Sequence, residues 1–207
     1  MFDLYYVGLS LLLLSTIIGT VRYKNYKSRF SLFLLTLLYV AVVIEALGYY
    51  VWKINSDDNT WLYILYIFFE FNLVFLMYYN ILKDAKTKKF INVLVGVFNI
   101  AYFFLIIYKG KNSFATTSTL ESVITSIFLI AFLRELLNSD KILNFKKYLP
   151  FWVTTGFMIY FMSSIPFQYI RSTIHVKELT FVQPLINCFM YGCFIYAFLW
   201  SKEEMSY

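Results

Sequence analysis

The chain is 207 residues long, 60% apolar and only 14% charged, with a mean hydropathy of +0.66. That apolar content exceeds what a soluble domain of this length needs for its core, so a soluble enzyme or binding module is excluded and an all-α polytopic membrane protein is expected. The net charge of +6 reads as a topology signal and not as a nucleic-acid footprint, because the basic residues sit beside span ends, where they meet lipid headgroups.

Apolar runs of spanning length cover residues 4–21, 30–52, 61–82, 90–108, 114–133, 149–169 and 181–200, which predicts a single seven-helix transmembrane domain. Phe2 and Asp3 stand where a signal peptide has its basic region, so the first run is expected to stay in the membrane. The second carries Glu45, on one helical stripe with Gly48, Tyr49 and Trp52. The third, Trp61 to Leu82, carries Glu70 about 14 Å from its Trp61 end, close to a bilayer centre, with Tyr63 and Tyr66 on the same face. The fourth offers Asn99 and Tyr102. The fifth begins with a polar third, and Glu121 there aligns with Thr117, Ser118 and Thr125. The sixth contributes Tyr160, Ser164 and Gln168, and the seventh Gln183, Asn187 and Tyr191. Pro166 and Pro184 are expected at the outer ends of those two helices, either kinking or opening them or simply marking the helix ends, a strong reading for Pro184, four residues into its run.

Connections alternate in charge. Arg22, Lys24, Lys27 and Arg29 follow the first span, Lys83, Lys86, Lys88 and Lys89 the third, and Arg134, Lys141, Lys146 and Lys147 the fifth, with Lys202 at the end. Five basic residues, Lys53, Lys109, Lys111, Arg171 and Lys177, fall on the other side. Cytoplasmic flanks hold the excess of Lys and Arg, so the N-terminus is expected outside and the C-terminus in the cytoplasm of a bacterial inner membrane. In that orientation Glu45, Glu70 and Glu121 share the outer half. An ionisable group inside a span costs roughly 2.5–3.5 kcal/mol or more, which makes each a functional hypothesis. Two readings are open: carboxyls and amides that join helices, or a polar layer around a cavity that binds a small ligand, cation or proton. The candidate site residues are Glu45, Glu70, Glu121, Asn99, Gln183, Asn187, Tyr66 and Gln168.

Other chemistry finds little support. His175 is the single histidine and falls in an external loop, which leaves no histidine metal cluster or Ser-His pair. Cys188 and Cys193, five apart on one helix, point about 140° away from each other and read as packing residues. The seventh span has no lysine for a Schiff base. No cofactor or metal is implied. A carboxylate-only membrane hydrolase is the enzymatic alternative that paired glutamates leave open. A three-one-three helix arrangement, as in seven-helix sugar transporters, fits the helix count, although the two halves do not match in sequence.

VVIEALGYY in the second span, YIFFEFNLVFLMYY in the third, the basic KDAKTKK turn, TLESVITSIFLIAFLREL in the fifth and LPFWVTTGFMIYFMSS in the sixth together give a resemblance. The chain resembles small seven-helix membrane proteins of flavobacteria and related Bacteroidetes, and is similar to the membrane sensor portion that precedes histidine kinases there. The resemblance implies a non-enzymatic, receptor-like input module whose output passes through a separate cytoplasmic protein contacting the basic loops. Similar small membrane proteins beside bacterial defence loci, including RNA-targeting CRISPR systems, imply a second expectation, an oligomeric pore or membrane-perturbing accessory. A small transporter is the remaining one.

Overall fold

Capping side chains mark where two of the helices, the second and the fourth, begin. In the computed structural model, which describes residues 3–55, 58–173 and 181–201, seven α-helices run in order: α1 (Asp3–Arg22), α2 (Arg29–Asn55), α3 (Thr60–Ile81), α4 (Ala85–Lys109), α5 (Phe114–Leu137), α6 (Leu149–Thr173) and α7 (Val182–Trp200). Short 3-10 segments at Tyr23–Asn25, Gly110–Ser113 and Asp140–Lys147 join some of them, and no strand occurs among the described residues. Ser28 and Ser31 form a reciprocal capping box at the start of α2, each backbone N–H donating to the other's hydroxyl at 3.2 Å. Asp84 caps α4, accepting from the Lys86 and Thr87 amides at 3.3 and 2.9 Å. This corrects the expected start at Phe90: Lys86, Lys88 and Lys89 belong to the first turns of α4, not to a connection. Gly110, with φ of 53°, stops that helix in a conformation that residues bearing a Cβ rarely adopt.

Of the two prolines, Pro184 stands at the helix end where it was expected, and Pro166 departs from expectation. Pro166 lies inside α6, which continues to Thr173; it removes one N–H donor and leaves the later turns intact. Pro184 is in the first turn of α7, where its missing N–H would have had no helical acceptor. His175, Lys177 and Lys202 lie outside the described residues.

Among the described residues five segments are long and apolar enough to cross a membrane: Leu4–Asn25, Arg29–Lys53, Thr60–Ile81, Ala85–Leu137, which takes in α4 and α5, and Val182–Trp200. The sixth helix, expected to span over residues 149–169, is not among them. It is instead packed between α5 and α7.

The helices form a closed ring. α1 packs on α2, α2 on α3, α3 on α5, α5 on α6, α6 on α7, and α7 returns to α1, while α4 lies outside against α3 and α5. For helices in a membrane, apolar side chains would gain little from leaving lipid, so such packing would depend on close contact and on small residues. Gly156 supplies it between α6 and α7: a Cβ there would sit 3.0 Å from the Met190 carbonyl oxygen and 3.1 Å from the Cys193 Cβ. Gly19 does the same for α1, since a Cβ would meet Leu35 and Phe198 at 2.7 and 2.8 Å. At the end where α2, α4 and α6 begin, the ring is filled with aromatic and aliphatic side chains. Tyr78 stands edge-on to Phe30 and Phe132, and Phe157 edge-on to Phe194. The Tyr26 hydroxyl, buried, reaches the Phe198 and Ser201 carbonyls at 3.0 and 2.6 Å and closes the last turn of α7. The Glu135 carboxylate accepts from the Lys83 and Asp84 amides at 2.6 and 3.4 Å, tying the α3–α4 turn to α5.

Candidate functional site: an acidic cavity inside the helix ring

The opposite end of the ring is hollow. A cavity of about 390 Å³ opens where α1, α3, α5 and α7 begin and α2 and α6 end. That size falls within the range of small-molecule sites. Glu45, Tyr66, Glu70, Glu121, Gln168, Gln183 and Asn187 all line it. Of the eight residues singled out in the sequence, only Asn99 does not. Helical spacing explains the convergence: Tyr63, Tyr66, Ile67 and Glu70 lie three and four apart on one face of α3, as do Gln183, Asn187 and Tyr191 on α7.

Asn99 has another role. Its amide and that of Asn72 face each other reciprocally, at 3.3 and 3.4 Å, and each also donates to the carbonyl four residues earlier. Together with the Tyr102 hydroxyl on the Ile64 carbonyl at 2.9 Å and Phe98 stacked on Phe71, they clasp α4 to the outside of α3. Six helices line the cavity, but α1 takes the place expected for α4. It presents Tyr5, Gly8, Leu9 and Leu12, one helical stripe. The sequence signal was there in that i, i+3, i+4, i+7 spacing, but a search for carboxyls and amides passes over it.

The three glutamates are in different situations. Glu45 accepts a hydrogen bond from the Tyr5 hydroxyl at 2.9 Å, and Tyr63 also donates to it. Tyr63 fits because its hydroxyl lies over Gly48, 3.0 Å from where a Cβ would be. Glu70, 2% exposed, has Tyr66 as its partner. Glu121 is equally buried, between Thr117 and Thr125, and its Oε1 has no hydrogen-bond partner among the described residues; nor do the Thr125 hydroxyl and the Gln183 Oε1. Glu70 and Glu121 lie in each other's electrostatic field, and Tyr160 lies in the field of all three carboxyls. Gln168 donates to the Ser118 hydroxyl at 3.4 Å and Gln183 to Asn187 at 3.3 Å, so the amides are only partly engaged. Neither Lys, Arg nor His lines the cavity among the described residues. The surface salt bridge of Lys111 with Asp58, 3.4 Å, is exposed and joins two loops at this end.

Below the cavity the ring is sealed. Leu12, Ile67 and Met190 form its deepest apolar lining, and Phe157 and Phe194 pack edge-on in the layer beneath. Further down, the Thr154 hydroxyl donates to the Pro150 carbonyl at 2.6 Å, so the hydrogen bond of 2.8 Å between Tyr78 and Thr154 must have Tyr78 as donor. Among the described residues no group of three His, Cys, Asp or Glu side chains is placed to hold a metal ion. In comparisons with protein-family models, curated proteins and solved structures, nothing matches this chain.

Proposed function

We propose that the protein is a non-enzymatic, receptor-like membrane protein whose acidic cavity binds a small ligand and whose opposite end reports occupancy to a separate cytoplasmic partner. The observation that carries this reading is Glu121: a buried carboxyl with an unpartnered oxygen, lining a cavity open at one end and sealed at the other. A carboxyl retained only to join helices would be expected to have its partner built in, as Asn72 and Asn99 have. The cavity end carries few basic residues and the sealed end carries Arg22, Lys24, Lys83, Lys86 and Lys146. By the excess of positive charge on cytoplasmic flanks, the cavity faces outward and the basic end faces a cytoplasmic partner. Ligand entry would shift the six ring helices against one another and alter that basic face.

One observation favours a second reading, a transporter. Three helices, one outlying helix and three helices is the layout of transporters built from parallel repeats, and here α4 is the outlier between α1–α3 and α5–α7. A transporter would alternate the seal between the two ends. A pore is disfavoured by the aromatic packing beneath the cavity.

Infrared difference spectra of the protein in lipid, titrated across pH and compared with Glu70→Gln, test the site. A carboxyl band that changes in the wild type and is lost in the variant is expected; identical spectra would reduce Glu70 to packing. Proteoliposomes separate the classes: no conductance and no solute uptake is expected of the receptor, uptake without conductance would establish the transporter, and sustained conductance would overturn both.

A further inference from the structure

The cavity's chemistry also points to the class of its ligand, an inference that rests on reading it as a ligand site. Its two unpartnered oxygens, Glu121 Oε1 and Gln183 Oε1, are both acceptors when Glu121 is ionised, the form an adjacent ammonium favours. What they lack is therefore an N–H or O–H donor. The formal charge of the lining is wholly acidic, with glutamates from α2, α3 and α5 and no basic side chain among the described residues, so an anionic ligand would meet repulsion and no compensating charge. The walls between the carboxyls are tyrosine. Tyr66, Tyr160 and Tyr191 line the same cavity as Glu45, Glu70 and Glu121. Aromatic side chains beside carboxyls suit an ammonium, attracted by ring quadrupoles and by charge-assisted hydrogen bonds together. An inorganic divalent ion fits less well, because no three acidic side chains converge on one point among the described residues.

We propose that the cavity binds a small organic amine in its ammonium form. The N–H groups donate to Glu121 and Gln183, the charge sits among Glu70, Glu121 and the rings of Tyr66, Tyr160 and Tyr191, and the carbon skeleton lies on Leu12, Ile67 and Met190.

Calorimetric titration of the whole chain in lipid nanodiscs tests this with phenethylamine, its alcohol analogue 2-phenylethanol and its acid analogue 3-phenylpropionate. Phenethylamine should bind with a Kd below about 1 mM and at least about ten times more tightly than either analogue. Glu121→Gln should weaken it roughly 10- to 100-fold at unchanged thermal unfolding, and Gln183→Leu should weaken it less. Should Glu121→Gln fail to fold, the comparison of Gln183→Leu with the wild type carries the test alone. Equal or tighter binding of the alcohol or the acid would overturn the amine while leaving a ligand site in place. No binding of any probe would also overturn the amine, and the infrared comparison with Glu70→Gln then judges the site reading separately.

Discussion

Replacing Glu121 separates a binding carboxyl from a helix-joining one by the sign of a stability change. The residue is 2% exposed, its neighbours Thr117 and Thr125 are fully buried, and its Oε1 has no partner among the described residues. Leaving a buried polar atom unpaired costs about 1–3 kcal/mol in either protonation state, whereas replacing it with an apolar group of similar shape removes that cost. Methionine has a similar length and adapts to irregular space. Glu121→Met is therefore expected to raise the free energy of unfolding by about 1–3 kcal/mol, or roughly 2–4 °C in Tm for each kcal/mol in a chain of this size, while abolishing ligand binding. Asn99→Leu should do the opposite: it breaks a reciprocal amide pair and should destabilise by about 0.6–1.7 kcal/mol. Reversible unfolding of wild type and both variants in bicelles measures the two effects together. A loss of more than about 1 kcal/mol in Glu121→Met would refute the reasoning, because it would mean that Glu121 has a structural partner worth a full hydrogen bond.

Three further outcomes follow from the packing and the caps. Gly156→Ala should destabilise by about 1–3 kcal/mol, since the Met190 carbonyl 3.0 Å from the new Cβ belongs to the backbone of α7 and cannot rotate away; the same unfolding assay reads it. Tyr78→Phe should lose about 0.5–1.5 kcal/mol while keeping its ring contacts with Phe30 and Phe132, because only the donor to Thr154 is removed. The carboxyl of Asp84 is held below its usual range by hydrogen bonds from the Thr87 hydroxyl and amide. Its folded value is depressed, so the capping stabilisation is present above the unfolded-state value and is lost as pH falls through the folded one. The Thr87 amide resonance should therefore move in one acidic titration step, absent in Asp84→Asn, and an unchanged step in that variant would assign the titration to another group.

By itself the sequence determined the helices, because apolar runs of membrane length leave the backbone no alternative to satisfying its hydrogen bonds internally. It also determined that three glutamates share a level: depth follows from 1.5 Å of rise per residue and alternating direction, and both are local. Seven of the eight candidate residues line one cavity for that reason. The boundaries at Asp84 and inside α6 were less legible, since a short side chain capping one turn, or a proline tolerated in another, outweighs the hydropathy around it. Which helices are neighbours was decided only in the tertiary structure. Asn99 stands at the depth of the site, yet it serves to fasten α4 outside the ring, and α1, with no carboxyl or amide on its inner stripe, closes the cavity through Tyr5. Both outcomes depend on helix-to-helix packing at Gly19, Gly156 and the Asn72–Asn99 pair. Small differences in shape decide that packing, and they leave no period in the sequence.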